Sequence, residues 1–456
     1  QKLSVTDSLY PDKSTTYGYN ASGEVVKITD PLGNITDLAY DNRGNKTQMS
    51  DANMGTWSYS YNSAGELTTQ TDAKNQIQQV TYDKLGRIKT RVTQEGTSTW
   101  AYDTATKGVG KPASVSSPGN HQEIYTYDTL GRSNTTTVTL DGEAYATTTT
   151  YDSVGRIQTV SYPTGFTVKN VYNEYGFLAE IRNNQTNALF WKADQSNAKG
   201  QITKETLGNG LSTEKTYDAG KGTISSIKTT NANGANLQDL TYTFDVLGNL
   251  LSRGDNTQNV SENFQYDTLN RLVAVSGPSN KTYQYNEIGN ITYKSDVGSY
   301  AYAGGKPHAV SQVSGILNHN YSYDANGNMS GGGGRAITYT SFNKPSSITS
   351  GDVTSTLSYD ANFNRVKKVT PTSTTVYIGK SYERVTTGSL VEHKHFIGGV
   401  ALYTSRSDGT SNTRYLLKDH LGSPESVTDE GGAVLQKLSY DAHGKRRNSN
   451  WTDATG

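Results

Sequence analysis

Cysteine is absent from all 456 residues, which excludes disulfides and thiolate metal centres and fits a protein exposed to changing redox conditions. Net charge is absent too: 42 basic residues balance 42 acidic ones, and charged residues make up only 18% of the chain. That balance removes the electrostatic case for binding nucleic acid or an anionic membrane. No apolar run approaches the ~20 residues needed to span a bilayer, and no signal peptide opens the chain. Nor is there a convincing helical periodicity. Apolar residues are scarce at 32%, and the mean hydropathy of −0.69 raises the question of disorder. The 32 tyrosines answer it, because disordered chains are charge-rich and aromatic-poor, the reverse of this one. Tyrosine supplies ring area plus a hydroxyl that needs a partner, which suits a broad, partly wet sheet better than a dry core.

What the chain does contain is a repeat. In Tyr82-Asp83-Lys84-Leu85-Gly86-Arg87-Ile88 the short Asp83 carboxylate can accept hydrogen bonds from the N–H groups just ahead of it. Lys84 and Leu85 take the central turn positions, and Gly86 supplies the positive φ that closes the turn with a bulge. Tyr82 and Ile88 become a cross-strand pair on the strands so joined. Tyr19, Tyr40, Tyr61 and Tyr82 open successive copies at a spacing of 21 residues. Tyr40-Asp41 with Gly44, Tyr127-Asp128 with Gly131-Arg132 and Tyr151-Asp152 with Gly155-Arg156 repeat the pattern. Tyr323-Asp324 with Gly327, and Tyr440-Asp441 with Gly444, carry it into the last third. Asn270 stands where a further glycine is expected, and Asn is the next-best residue for positive φ. Aspartate gives way to Asn20, Asn62, Asn173 and Asn286, which fits turn hydrogen bonding better than calcium ligation.

Between these turns lie looser ones, such as Asp30-Pro31-Leu32-Gly33 and Asp72-Ala73-Lys74-Asn75, so each repeat holds two short strands rich in Thr, Val, Ile and Tyr. The expected fold is all-β: one long antiparallel meander of hairpins. Roughly forty strands spaced ~4.8 Å apart would extend roughly 190 Å, too wide for an open sheet. The sheet must wind, either as a ring roughly 60 Å across, wide enough to leave a cavity, or as a stacked spiral that protects the edges a flat sheet exposes. Residues 183–200 read as a polar excursion around Phe190-Trp191, and Gly331-Gly332-Gly333-Gly334 as a loop tip without the following helix that phosphate binding needs. The texture changes near Tyr377, dividing a repeat segment (1–376) from a terminal module (377–456). Gln1 is followed by a repeat already in register at Tyr19, which predicts a fragment of a longer protein.

The Tyr-Asp-x-x-Gly-Arg copies resemble the YD repeats of bacterial Rhs proteins, insecticidal toxin-complex C subunits and animal teneurins. The run Asp419-His420-Leu421-Gly422-Ser423-Pro424, with Tyr440-Asp441-Ala442-His443-Gly444 following, is similar to the Rhs-associated core module. The resemblance implies a spiralled β-shell and, in bacterial members, a variable C-terminal toxin enclosed by it. The implied partners are that toxin or effector and further N-terminal shell or secretion-system domains. The implied setting is secreted or at the bacterial cell surface. The resemblance also brings an aspartyl self-cleavage segment rich in Asp-Pro, which Trp451-Thr452-Asp453-Ala454-Thr455-Gly456 does not match, so no protease residues are assigned.

Other chemistry is weaker. His393 and His395 share one strand face and, with Asp419 or His420, form a candidate metal site. Asp419, His420 and Ser423 are the ingredients of a hydrolase triad, but adjacency in sequence is poor evidence for one. The expectation is no catalytic residue, no metal and no cofactor. The turn arginines, Arg87, Arg132 and Arg156 among them, are expected to pair with turn carboxylates or stack on tyrosines of neighbouring repeats. Two rival functions stand beside a toxin-enclosing shell. One is an adhesin binding glycans or a receptor through its tyrosines, although aromatic glycan-binding repeats rely on Trp and only four are present. The other is self-cleavage within 377–456.

Overall fold

The computed structural model describes residues 1–454, and among them there is no helix. Forty-four strands run from Ser4–Asp7 to Arg446–Arg447, and the first forty-two form one sheet. Each of these pairs antiparallel with its sequence neighbour, as Ile77–Tyr82 does with Ile88–Thr93. The last two, Ser439–Tyr440 and Arg446–Arg447, make a separate hairpin.

The period-2 alternation gives the wall two unlike faces. In Gly55–Tyr61, Trp57, Tyr59 and Tyr61 lie on one side, half-buried or buried, while Thr56, Ser58 and Ser60 are exposed on the other. The exposed face satisfies itself through hydroxyl pairs across strands, such as Thr81–Thr90 and Thr243–Ser252, each at 2.6 Å.

Long-range contacts trace the winding. The Tyr10 hydroxyl donates to the Tyr285 carbonyl, 275 residues on, and Arg91 donates to the Ala361 carbonyl, 270 on. Asn209 reaches the Asp429 carbonyl after 220 residues, and Lys281 meets Asp453 after 172. The sheet is therefore a spiral that tightens toward its C-terminal end, rather than a single ring. Early in the second winding, turns meet turns: Asn326 donates to Asp72 at 2.5 Å, and the Ser341 N–H donates to Glu95 at 2.7 Å. Further along, an apolar core joins Val138, Tyr145, Trp191 and Leu211 to Val376, Tyr382, Ile397 and Leu417. This core lies on the tyrosine face of the first winding. A tighter winding packed on the face of a wider one lies within it, so over this stretch the tyrosine face is the inner one.

Two local readings are corrected. Residues 183–200 are no excursion: Leu189–Ser196 is a strand paired on both sides, with a register shift in each ladder and with Phe190 and Trp191 buried. The polar residues around it cap turns, Asn183 accepting from the Gln185 and Thr186 N–H groups and Asn197 from those of Lys199 and Gln201. The supposedly looser turns at Asp30 and Asp72 have the same geometry as the Tyr-Asp turns, each carboxylate accepting from the N–H groups two and four residues on. The glycine run has a packing reason, since a Cβ on Gly332 would fall 2.2 Å from the Tyr321 ring. The division at 376/377 falls inside strand Ser373–Ile378, which is hydrogen-bonded in register on both sides.

Candidate functional site: the repeat turn and the terminal module

Asp83 shows how one turn is made. Its backbone carbonyl accepts from the Gly86 N–H, and its own N–H donates to the Arg87 carbonyl. Oδ1 accepts from the N–H groups of Leu85 (2.8 Å) and Arg87 (3.0 Å), and Oδ2 from the Arg87 Nε at 2.7 Å. Gly86 has φ +76, a region a Cβ disfavours. Desolvation works against the carboxylate, but the hydrogen bonds from Arg87 and Leu85 outweigh it and hold its pKa below the ordinary value. Asp41, Asp128, Asp152 and Asp324 sit in turns of the same design, with Gly44, Gly131, Gly155 and Gly327 at positive φ.

The turns are then stitched to each other. Arg87, Arg132 and Arg156 clamp their own carboxylates, and each guanidinium lies 4.3 Å from the ring centroid of a tyrosine in the next repeat: Tyr102, Tyr151 and Tyr172. Those rings are oriented by their hydroxyls. Tyr82 donates to the Leu67 carbonyl (2.8 Å), Tyr127 to Pro112 (2.6 Å) and Tyr172 to Ile157 (2.8 Å), each 15 residues back, where the preceding turn feeds its strand. Tyr151 and Tyr323 make the same reach to Ser133 and Val310. This backward bond escaped the sequence reading, although the 15-residue offset shared by Tyr82, Tyr127 and Tyr172 was there to find. So was a second pattern, present in several copies: Asp41 and Asp83 are followed four residues on by a donor, Asn45 or Arg87, and Asn20 and Asn62 by an acceptor, Glu24 or Glu66.

The terminal module reuses the same turn. Asp419 Oδ1 accepts from the N–H groups of Leu421 and Ser423, both at 2.9 Å, Gly422 has φ +83, and Pro424 opens the next strand. Leu421 is exposed. The His420 ring leaves this turn to lie 4.3 Å from the Tyr242 ring of the first winding, so no side-chain hydrogen bond joins Asp419, His420 and Ser423. His395 is spent in packing as well. Its Nδ1 faces the Tyr403 carbonyl at 3.1 Å and must carry the proton, leaving Nε2 to accept from the Thr164 hydroxyl at 2.8 Å. Both nitrogens are then used, and burial pushes its pKa down to about 4. His393 bonds Tyr382 at 2.6 Å, and no cluster of three metal-ligating side chains occurs among the described residues. Asp441 Oδ1 accepts from the His443 and Lys445 N–H groups, Gly444 has φ +80, and the Tyr440 carbonyl accepts from Arg253.

The chain's first repeats, residues 13–53, match the family model described as RHS Repeat. A stretch of 95 residues is 38% identical to the toxin subunit YenC2 of Yersinia entomophaga, covering 18% of this chain and 10% of that protein. The whole fold resembles the crystal structure of TcdB2-TccC3 with Cdc42, with a TM-score of 0.82 at 17% identity over 95% of this chain and 26% of the other. The Tc holotoxin pore of Photorhabdus luminescens gives a TM-score of 0.80 at 17% identity over 95% of this chain and 26% of that one. This chain thus spans about a tenth of the sequence relative and about a quarter of the structural ones. Repeat, spiral sheet and relatives agree: the chain carries RHS repeats and has the β-shell fold of these toxin-complex structures.

Proposed function

We propose that this shell encloses a C-terminal effector polypeptide of a bacterial Rhs-type toxin, that residues 377–456 are its Rhs-associated core module, and that its own role is structural rather than catalytic. The observation carrying this reading is the two-faced wall: a spiral whose wide winding has one tyrosine-rich, weakly apolar face, the face that lies inward where the second winding packs on it. Such a face offers a chain many dispersed contacts without a continuous core to fold against. Self-satisfied hydroxyls cover the opposite face, which favours a container over a glycan-binding adhesin.

The rim of the first winding supports further shell partners. Leu85, Leu130 and Val154 project from its Tyr-Asp turns and are 74%, 75% and 71% exposed, whereas Asn326, the matching residue in the second winding, is packed on the first winding at 5%. The bare rim fits another winding of the same sheet. Secretion or surface display is part of this reading; no helix among the described residues is long and apolar enough to cross a membrane, which leaves β-barrels unaddressed. Imaging the parent protein with and without its C-terminal region tests the proposal. Internal density lost on deletion supports it; particles alike in both refute it, and saturable glycan binding would then favour the adhesin.

A further inference from the structure

The last hairpin differs in kind from everything before it. It leaves the 42-stranded sheet, and it is held to the first winding mostly by buried charge. Glu262, 1% exposed, receives Arg253 from its neighbouring strand and a two-pronged Arg447 from the hairpin. Trp451 closes over both guanidinium groups, at 5.2 Å and 5.0 Å. Lys281 bridges Asp296 (2.9 Å) and Asp453 (2.5 Å), while Lys294 lies 3.4 Å from Asp296 and 3.8 Å from Asp441. Buried pairs of this kind contribute little net stability but are costly once one member changes charge.

Two imidazoles sit inside this arrangement. The His420 ring rests on Tyr242 in a small cavity closed by Arg253, Tyr440 and Trp451, and its Nδ1 is buried without a partner. Asp419 and Glu425 are the acidic groups beside it, and Arg253 the basic one. The His443 ring lies 4.7 Å from Tyr283, facing Lys294 on one side and Asp441 and Asp296 on the other.

We propose that residues 438–454 form an acid-released clasp, in which protonation of His420 and His443 sets cations beside Arg253 and Lys294 and undocks the hairpin while the 42-stranded sheet stays folded. Burial holds both imidazoles below their ordinary value of 6.5; Lys294 adds to it at His443 against Asp441 and Asp296, and at His420 Asp419 opposes it while Arg253 adds a smaller push downward. The sign follows. The undocked segment takes up protons first as pH falls through 6.5, so docking is full above that value and weakens below it. Asp296 and Asp453 do not set this threshold, since they are held below their ordinary value of 3.8, and Lys281 is held above 10.5; burial raises Glu425 above its ordinary 4.5, which favours docking rather than release as pH falls.

Hydrogen exchange read by mass spectrometry on the 456-residue chain, corrected for intrinsic rates, tests this at about pH 7.5 and about pH 5. Protection of 438–454 should fall roughly tenfold or more while strand Ser212–Tyr217 keeps its own. His420→Phe with His443→Phe should flatten the difference. Unchanged protection in the wild type overturns the proposal, as does loss in step with the sheet. Equal loss in the double variant overturns it too. Should that variant misfold, the single variants His420→Phe and His443→Phe decide, a loss of protection in both equal to that of wild type refuting the clasp.

Discussion

Replacing Gly86 isolates the element on which the wall is built. At φ +76 a β-branched residue meets its own backbone, at a cost of about 2 kcal/mol. The space itself is forgiving: a Cβ would fall 2.8 Å from Glu66 Oε1, the far end of a flexible side chain that can swing away. The strain is therefore in the backbone, and Gly86→Asn should relieve most of it, since Asn75 and Asn270 hold the same place at φ 60. Asp83→Asn should cost less than Gly86→Val as well, because the Oδ1 acceptor for two N–H groups survives and only the Arg87 clamp is lost. The magnitude dictates the assay. At about 2.1 cal/mol/K per residue, 456 residues unfold with an entropy of about 1 kcal/mol/K, so about 2 kcal/mol moves a global Tm by only about 2 °C. A repeat array opens locally, however, and there the same energy is a roughly 30-fold loss of exchange protection. Exchange should accelerate by that factor across Ile77–Tyr82 and Ile88–Thr93 in Gly86→Val and far less in Gly86→Asn and Asp83→Asn. Protection in the Val variant within a factor of about three of the Asn variant would refute the backbone argument.

Tyr82→Phe removes one backward bond and should loosen Leu67–Thr71 by about 1 kcal/mol, read as faster exchange there with the Ile77–Tyr82 pairing intact. Glu262→Gln leaves Arg253 and Arg447 buried against a neutral amide and should cost about 3–5 kcal/mol by denaturant titration; Glu262→Leu with Arg253→Met and Arg447→Met should recover most of that loss. His395 is held at about 4 against an ordinary 6.5, so its contribution to stability is whole above pH 6.5 and drains away as pH falls toward 4, by at most about 3 kcal/mol. His395→Phe should flatten that part of the stability–pH curve; an unchanged slope would show that the imidazole is not what acid attacks there.

By itself the sequence determined the turn, and through the turn the meander. Every contact that makes the Asp83 turn lies within four residues, so the requirement for Asp or Asn, for positive φ and for a matching residue four positions on is written locally and repeats legibly. Trp451, which holds positive φ at 66, marks the limit of that legibility, because a bulky residue at the glycine position hid a further turn there. The need to wind followed from strand count and sheet twist, again without tertiary information. What tertiary structure alone decided is what meets what across a winding. Pairs such as Glu262 with Arg447, 185 residues apart, or Thr164 with His395, 231 apart, depend on how many strands complete a turn of the spiral. That number is set by the accumulated twist and curvature of some twenty hairpins, to which each repeat adds only a small increment. Hence Asp419, His420 and the paired histidines read in sequence as candidate chemistry, and in space as the packing by which the end of the spiral docks on the first winding.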